Sequence, residues 1–196
     1  MYQATAAISS SLDLDRVLDD IMEQMSIVIP GDEAVSIMLI EGEYARVVRS
    51  RGYERLGAPD GLSALALKIA DTPTFRIMRE TGAPIVIPRT ADYPGWIQPP
   101  ETPWLGSYAG APIRVGGQII GFLNADSDTP DFFCQTDCDR LQAFAAQAAV
   151  ASQNAHLYQE LSHHLEGAQL LNKAALASGS TLDFDEVIRR TLAALL

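Results

Sequence analysis

Ser107-Tyr-Ala-Gly-Ala-Pro-Ile-Arg-Val115, Gly116-Gly117, Gln118-Ile-Ile-Gly-Phe-Leu-Asn-Ala125 is the stretch on which the fold turns. Two β-favouring runs flank a glycine pair, and paired glycines supply the positive φ angles of a two-residue hairpin turn. Asp126-Ser-Asp-Thr-Pro130 follows with turn-forming residues and is expected to close the hairpin. On either side lie further elements of the same kind. Ala34-Val-Ser-Ile-Met-Leu-Ile40, Glu41-Gly-Glu43 and Tyr44-Ala-Arg-Val-Val-Arg49 predict a second hairpin, and Pro84-Ile-Val-Ile87 a short strand. Leu62–Ala70 fits strand or helix. Asp71-Thr-Pro73 predicts a helix start, with Phe75, Ile77 and Met78 as its apolar face and Gly82 as its stop. Residues 88–106, rich in Pro, Gly and Trp without a period, predict a long loop of the kind that is usually functional or mobile.

Helical patterns bracket these strands. Leu14, Val17, Leu18, Ile21, Met25 and Val28 form an apolar stripe after Asp13, whose carboxylate is placed to cap a first turn, and Pro30-Gly31 ends the run. From about Thr136 the pattern is helical for about 35 residues, or ~50 Å if unbroken. The predicted fold class is therefore α+β. A central antiparallel sheet of five or six strands carries N- and C-terminal helices (1–29 and 136–160) packed on one face, with the helices segregated to that side. Ile37, Leu39, Val47, Ile85, Ile113, Ile120 and Phe122 are expected on buried sheet faces.

Residues 4–18 return at 174–188. Ala4/Ala174, Ala7/Ala177, Ser10/Ser180, Leu12/Leu182, Asp13/Asp183, Asp15/Asp185 and Val17/Val187 match, and Ser11/Thr181, Leu14/Phe184 and Leu18/Ile188 are similar. In the second copy Glu186 follows Asp183 by three residues, as in a capping box. An offset of about 170 residues suits a whole domain rather than a solenoid unit. The expected organisation is one complete domain, 1–160, then a connecting helix and the first helix of a second, truncated repeat, 161–196. Leu195-Leu196 ends the chain inside an uncapped apolar pattern, which predicts a longer parent protein. The plain alternative is one closing helix resembling the first because both are amphipathic.

Composition excludes several classes. The net charge of −11 opposes binding to a nucleic-acid backbone or docking on an anionic membrane. With 47% hydrophobic and 20% charged residues the chain is that of a soluble globular protein. No apolar run reaches the ~18 residues of a membrane span, and no basic-then-apolar leader opens the sequence. Cys134 and Cys138, four apart across a predicted helix start, are poorly placed to pair, so a reducing cytoplasm is the expected compartment. His156, His163 and His164 are the only histidines, and no Cys, His or carboxylate at metal-ligand spacing joins them. Neither a phosphate-cradling glycine loop nor a Ser/His/Asp arrangement stands out, and the sequence names no cofactor.

The exit helix carries a different signal. Leu157, Leu161, His164, Ala168 and Leu171 step by four, three, four and three residues, the spacing of a two-stranded seam. Ala145, Ala148, Ala149, Ala151 and Ala155 form a small-residue run; packing on the domain's own sheet accounts for residues 141–155. Beyond Tyr158 little domain is left to cover, so an intermolecular seam is expected there. Gly167 weakens this helix by up to about 1 kcal/mol relative to Ala, and whether the helix runs through it stays open.

Several of these segments together resemble a GAF domain. Ser107-Tyr-Ala-Gly-Ala-Pro-Ile113, Gly117-Gln-Ile-Ile-Gly-Phe-Leu-Asn124, Phe132-Phe133, Asp137, Leu141, Phe144-Ala-Ala-Gln147 and Asn154-Ala-His-Leu-Tyr158 are similar to the family's C-terminal half. Ser10-Ser-Leu-Asp-Leu-Asp15-Arg-Val-Leu18 resembles its first helix. The resemblance covers about residues 5–160, and it is to modules found in tandem in bacterial signalling proteins of the sensor histidine kinase type. It implies a non-enzymatic sensor module that binds a small ligand and forms a homodimer through the C-terminal helix. The signal would pass along that helix to a downstream domain in the same chain. It also implies a pocket between the sheet and the 88–106 loop, for which Arg89, Asp92, Tyr93, Trp96, Trp104, Tyr108 and Asn124 are the candidate ligand-binding residues. Aromatic walls with a few polar groups suit such a site. The plainer account has both tryptophans plugging the loop onto the sheet, and Asn124 and Asp126 serving strand-end turns.

Departures from the family's patterns narrow the ligand and the chemistry. Cyclic-nucleotide-binding members carry Asn-Lys…Phe…Asp-Glu, where this chain has Asn124-Ala125, Phe133 and Asp137-Cys138. The paired lysine and glutamate are both missing. Methionine sulfoxide reductases of the family place cysteines before the strand at Ser107, where this chain has none, and bilin-binding members follow the attaching cysteine with His, where Cys134 precedes Gln135. A cysteine-dependent reductase and a ligand-free dimerisation spacer stand as the alternatives to the sensor.

Overall fold

The computed structural model describes residues 2–29, 34–57, 62, 65–98, 100 and 102–180. Its elements, in chain order, are α1 (Tyr2–Val28), β1 (Ala34–Glu41), β2 (Tyr44–Arg51), β3 (Ala66–Lys68), α2 (Pro73–Thr81), β4 (Ile85–Ile87), β5 (Ser107–Val115), β6 (Gln118–Ser127) and α3 (Gln135–Ser180). Single 3₁₀ turns lie at Tyr53–Leu56, Ile69–Asp71 and Thr90–Asp92. By its contacts the chain divides into two compact units: Ser11–Ala155 carries the sheet, and the outer ends of α1 and α3 make up the other.

The strands form one six-stranded antiparallel sheet in the order β3-β2-β1-β6-β5-β4. The β5–β6 hairpin turns on Gly116 and Gly117, whose φ angles of 58° and 87° are ones that L side chains rarely adopt. Two irregularities set which way side chains point. Ile113 pairs with Gly121 but Arg114 with Ile119, which leaves Ile120 as an extra residue. Ile37 pairs with Arg49 and Met38 with Val47, which does the same for Val48. Each extra residue flips the alternation, so Ile120 and Val48 pack on one face while Ile119 and Val47 pack on the other.

Each face has its own core. On the first, Leu18, Ile21, Met22 and Met25 of α1 and Leu141, Phe144, Ala145 and Ala148 of α3 cover Val35, Ile37, Ala109, Ala111, Ile113 and Leu123. This is the expected pairing of the terminal helices on one face. Arg49 ties α1 to β2, donating to Asp19 Oδ1 and Asp15 Oδ1 at 2.6 Å each. On the second face, α2 lays Phe75 flat on Phe122, with centroids 4.4 Å apart and planes within 5°, and Met38, Val47, Ile69 and Met78 fill in around them. Among the seven strand residues expected on buried faces, Ile37, Val47, Ile113 and Phe122 are fully buried and Leu39, Ile85 and Ile120 partly so.

Two expectations need correction. Helices are not segregated to one side, because α2 packs opposite α1 and α3: Phe75 and Met78 belong to the second core. Asp13 does not cap a helix start, since α1 is already helical from Tyr2; Ala4, Ala6 and Ala7 favour continuing the helix upstream. Its second copy at Asp183 lies outside the described residues. The β5–β6 hairpin closes inside the expected Asp126–Pro130 segment, with β6 running through Ser127, paired to Ser107. The helix question left open at Gly167 is answered: α3 is continuous through it to Ser180.

Candidate ligand cavity on the second sheet face

On β6 the side chains of Phe122, Asn124 and Asp126 alternate onto the same face. Phe122 meets α2, but the next two positions are polar, and so is Ser36 opposite Asn124 on β1. The face that begins as core therefore ends as a polar floor. Above it lies a cavity of about 80 Å³, several times the ~15 Å³ that one water needs. Met38, Val47, Leu65, Leu67 and Phe75 give it apolar walls. Thr72–Thr74 at the start of α2 and Trp96, Ile97, Thr102 and Leu105 of the long loop complete the rim.

The floor holds two hydrogen-bonded groups. The Tyr108 hydroxyl donates to Asn124 Oδ1 at 2.8 Å, and Asn124 Nδ2 donates to Ser36 Oγ at 3.2 Å. Tyr53 Oη donates to Asp126 Oδ2 at 2.5 Å. Ser36 stands beside the Tyr53 hydroxyl and Thr74 beside the Tyr108 hydroxyl. Burial, then the nearby Asp126 charge, pushes both phenols well above their ordinary range, so Tyr53 and Tyr108 are firmly neutral at physiological pH. Tyr108 can lie across the sheet because its neighbour on that face is Gly110: a Cβ there would collide with the Tyr108 hydroxyl and stand 2.8 Å from its Cζ.

The predicted binding residues fall into three groups. Trp96, Tyr108 and Asn124 line the cavity together, with the Trp96 ring 5.7 Å from Tyr108 and its Nε1 donating to Gln98 Oε1. Trp104 packs 6.3 Å from the Tyr53 ring behind the wall rather than lining it, and its indole N–H is buried with no hydrogen-bond partner among the described residues. Arg89, Asp92 and Tyr93 sit elsewhere, around a separate shallow surface hollow with Pro88 and Asp131. There Arg89 pairs with Asp131, holding that carboxyl below its ordinary range, and Asp131 takes a φ of 61° while its N–H bonds the Pro88 carbonyl. That hollow is built by a loop-anchoring ion pair.

Sequence reading missed Ser36, Tyr53, Thr74 and Asp126 as site residues. Ser36 had a signal, a lone hydroxyl inside an otherwise apolar strand; Asp126 shares the two-residue alternation with Asn124.

Neither cysteine lines the cavity. Cys138 is fully buried in the opposite core, where burial pushes its thiol from 9.0 up to about 11. Cys134 is exposed at the entry to α3, where Asp137 Oδ2 accepts from the Cys134 N–H at 2.9 Å and from its thiol at 3.2 Å, as a helix cap does. Among the described residues no group of His, Cys, Asp and Glu could hold a metal ion, and no helix is long and apolar enough to cross a membrane. Of the seam residues, Leu157, Leu161 and Leu171 are 53%, 56% and 74% exposed, and His164 and Ala168 are exposed too.

A family model described as GAF domain matches residues 13–151. Among solved structures, the chain is similar to the GAF domain/HD domain protein from Geobacter sulfurreducens, at 16% identity and a TM-score of 0.62, over 74% of this chain and 95% of that one. It is similar to residues 122 to 287 of a methyl-accepting chemotaxis protein, at 21% identity and a TM-score of 0.61, over 78% and 97%. It is also similar to the free methionine-R-sulfoxide reductase from Neisseria meningitidis, solved with its substrate, at 17% identity and a TM-score of 0.57, over 80% and 93%. At these identities the likeness is one of fold.

Proposed function

The chain belongs to the GAF domain family, whose members are generally regulatory sensor modules, and on that footing we propose that it binds a small ligand in the cavity and signals without catalysis. The cavity carries this reading: a spacer has no use for a polar floor of Ser36, Tyr53, Tyr108, Asn124 and Asp126 beneath an open volume of about 80 Å³. Ligand contacts with Trp96 and Ile97 from the loop, and with Thr74 from α2, would couple occupancy to both elements. We place the module in a larger cytoplasmic signalling protein of the sensor histidine kinase type, where the repeat at 174–188 opens a second such domain after residue 160. It works as a homodimer joined along Leu157, Leu161, His164, Ala168 and Leu171, and the same helix carries the signal to the downstream domain.

The reductase reading draws on the fold likeness to methionine sulfoxide reductases. Against it, no thiol reaches the cavity, and the buried one is held protonated. Native mass spectrometry of the protein purified from cells tests the sensor. A retained small molecule that is lost when Trp96→Ala opens the wall is expected. Protein that carries no adduct, and whose tryptophan fluorescence responds to no compound in a metabolite library, would leave the spacer as the function.

A further inference from the structure

Tyr108 lies across β5 where that strand carries least side chain. Ala109, Gly110 and Ala111 have nothing beyond Cβ. On the cavity face, the space above Gly110 is taken by Tyr108 and by Met78 of α2, whose Cε would stand 3.1 Å from an added Cβ. The Tyr108 hydroxyl passes over Gly110 to reach Asn124, the residue paired with Gly110 on β6. On the opposite face, Ala109 and Ala111 share a core with Cys138, Leu141 and Ala145 of α3. The Cys138 thiol stands beside the Gly110 backbone itself. At Gly110, then, one strand of backbone separates a cavity residue from the first turns of α3, and no side chain of β5 stands between them. Packing this close passes a small displacement on to the next layer instead of damping it.

The hydroxyl also has two partners within reach. It donates to Asn124 Oδ1 at 2.8 Å, and Thr74 of α2 stands beside it. Asn124 and Thr74 both line the cavity. A guest that engages the Asn124 carbonyl would leave the phenol proton to Thr74, whose oxygen can accept it. Two discrete arrangements of one group are what a switch requires.

We propose that Tyr108 relays occupancy of the cavity to α3: a guest releases its hydroxyl from Asn124, and the change at Gly110 reaches the turns of α3 around Cys138. This rests on the cavity being the sensor's ligand site, and it names the contact through which that site reaches the helix. The Cys138 thiol is a neighbour in the relay and not a required part of it, because Ala109 and Ala111 pack in the same core. From these turns α3 runs unbroken to Ser180.

The test needs no ligand. Tyr108→Phe keeps the ring and removes only the hydroxyl, and backbone amide signals are read by nuclear magnetic resonance on the full 196-residue chain. Signals of Cys138, Leu141 and Gln142 on α3 should shift together with that of Gly110. They should shift further than those of Ile21 and Met25 of α1, which belong to the same core. Tyr53→Phe, which cuts the other floor bond, should leave the three α3 signals in place. If Tyr108→Phe does not fold, Asn124→Ala, which removes the acceptor instead, is read at the same signals. Shifts that stop at the sheet, that reach α1 and α3 alike, or that Tyr53→Phe reproduces on α3 would overturn the relay. Any of these would leave the cavity as a binding site, which mass spectrometry of the purified protein tests separately.

Discussion

The Tyr53 hydroxyl donates to the Asp126 carboxylate across 2.5 Å, between the segment that follows β2 and the end of β6. Tyr53 is 3% exposed and Asp126 8%. The bond thus holds a buried charge and joins the polar end of the sheet to the cavity wall at Tyr53. Removing the donor takes one hydrogen bond from the carboxylate in a place that water reaches poorly. Tyr53→Phe should destabilise the domain by about 1–3 kcal/mol, read as a lower urea midpoint at unchanged slope. An unshifted midpoint would mean that the pair contributes nothing to folding.

Alkaline pH should weaken the fold through the same groups. Burial raises Tyr53, Tyr108 and Cys138 above their unfolded values of 10.0, 10.0 and 9.0, so the native state holds these protons more tightly than the unfolded chain does. The resulting stability is complete below about pH 9 and is lost as pH climbs through the unfolded values toward the raised native ones. Ultraviolet titration should show two of the six tyrosines ionising only with unfolding. All six titrating together on a native fold would refute the buried phenols.

Gly110→Ala sets backbone gain against collision. Relieving a strand glycine is worth roughly 0.5–1 kcal/mol, but the new methyl strikes the Tyr108 hydroxyl and Cζ, and Tyr108 is held by Asn124. The collision should win, with a net loss of about 1–3 kcal/mol. A Tyr108→Leu background should absorb most of that loss, as contacting residues couple. Thermal melts of the two singles and the double measure the coupling, and additive losses would place the strain elsewhere.

Native protein should react with a thiol reagent at one cysteine near neutral pH, and at both in denaturant, since Cys134 is exposed and Cys138 buried with its thiol raised to about 11. Replacing either by Ala should leave ligand response intact. Loss of response in a folded Cys134→Ala protein would revive the thiol chemistry set aside above.

What the sequence made legible was local. The Gly116-Gly117 turn, Pro73 at the first turn of α2 and Gly82 at its end are each written in one or two residues, and the structure has all of them. The sheet's long-range outcomes were not. Asp13 has the chemistry of a helix cap, but the alanines before it extend α1 past that point. Asp126 looked like a turn residue because its role depends on a partner 73 positions away, Tyr53. The loop's Arg89, Asp92 and Tyr93 share a segment with Trp96, yet they pack at a different hollow; position along an irregular loop does not fix direction. Sequence could nominate the aromatic wall of the cavity. The floor, built from Ser36, Tyr53, Tyr108, Asn124 and Asp126, was nominated only at Tyr108 and Asn124, and the rest needed the register.

The homodimer proposed along α3 makes the last prediction. Leu157, Leu161 and Leu171 expose more than half their surface, as do Leu165 and Leu170 near them, on a helix that runs unbroken from Gln135 to Ser180. Such side chains contribute little to the fold of one chain, so charge at position 161 should cost its stability no more than about 0.5 kcal/mol. Across a seam the same substitution is costly, because two glutamates would be desolvated opposite each other with nothing to pair them. Wild type is therefore expected to sediment as a dimer at micromolar concentration and Leu161→Glu as a monomer, with melting temperatures that differ little once extrapolated to low concentration. A wild type that stays monomeric at high micromolar concentration would remove the seam. A mutant whose melt collapses would show that Leu161 packs within its own chain instead.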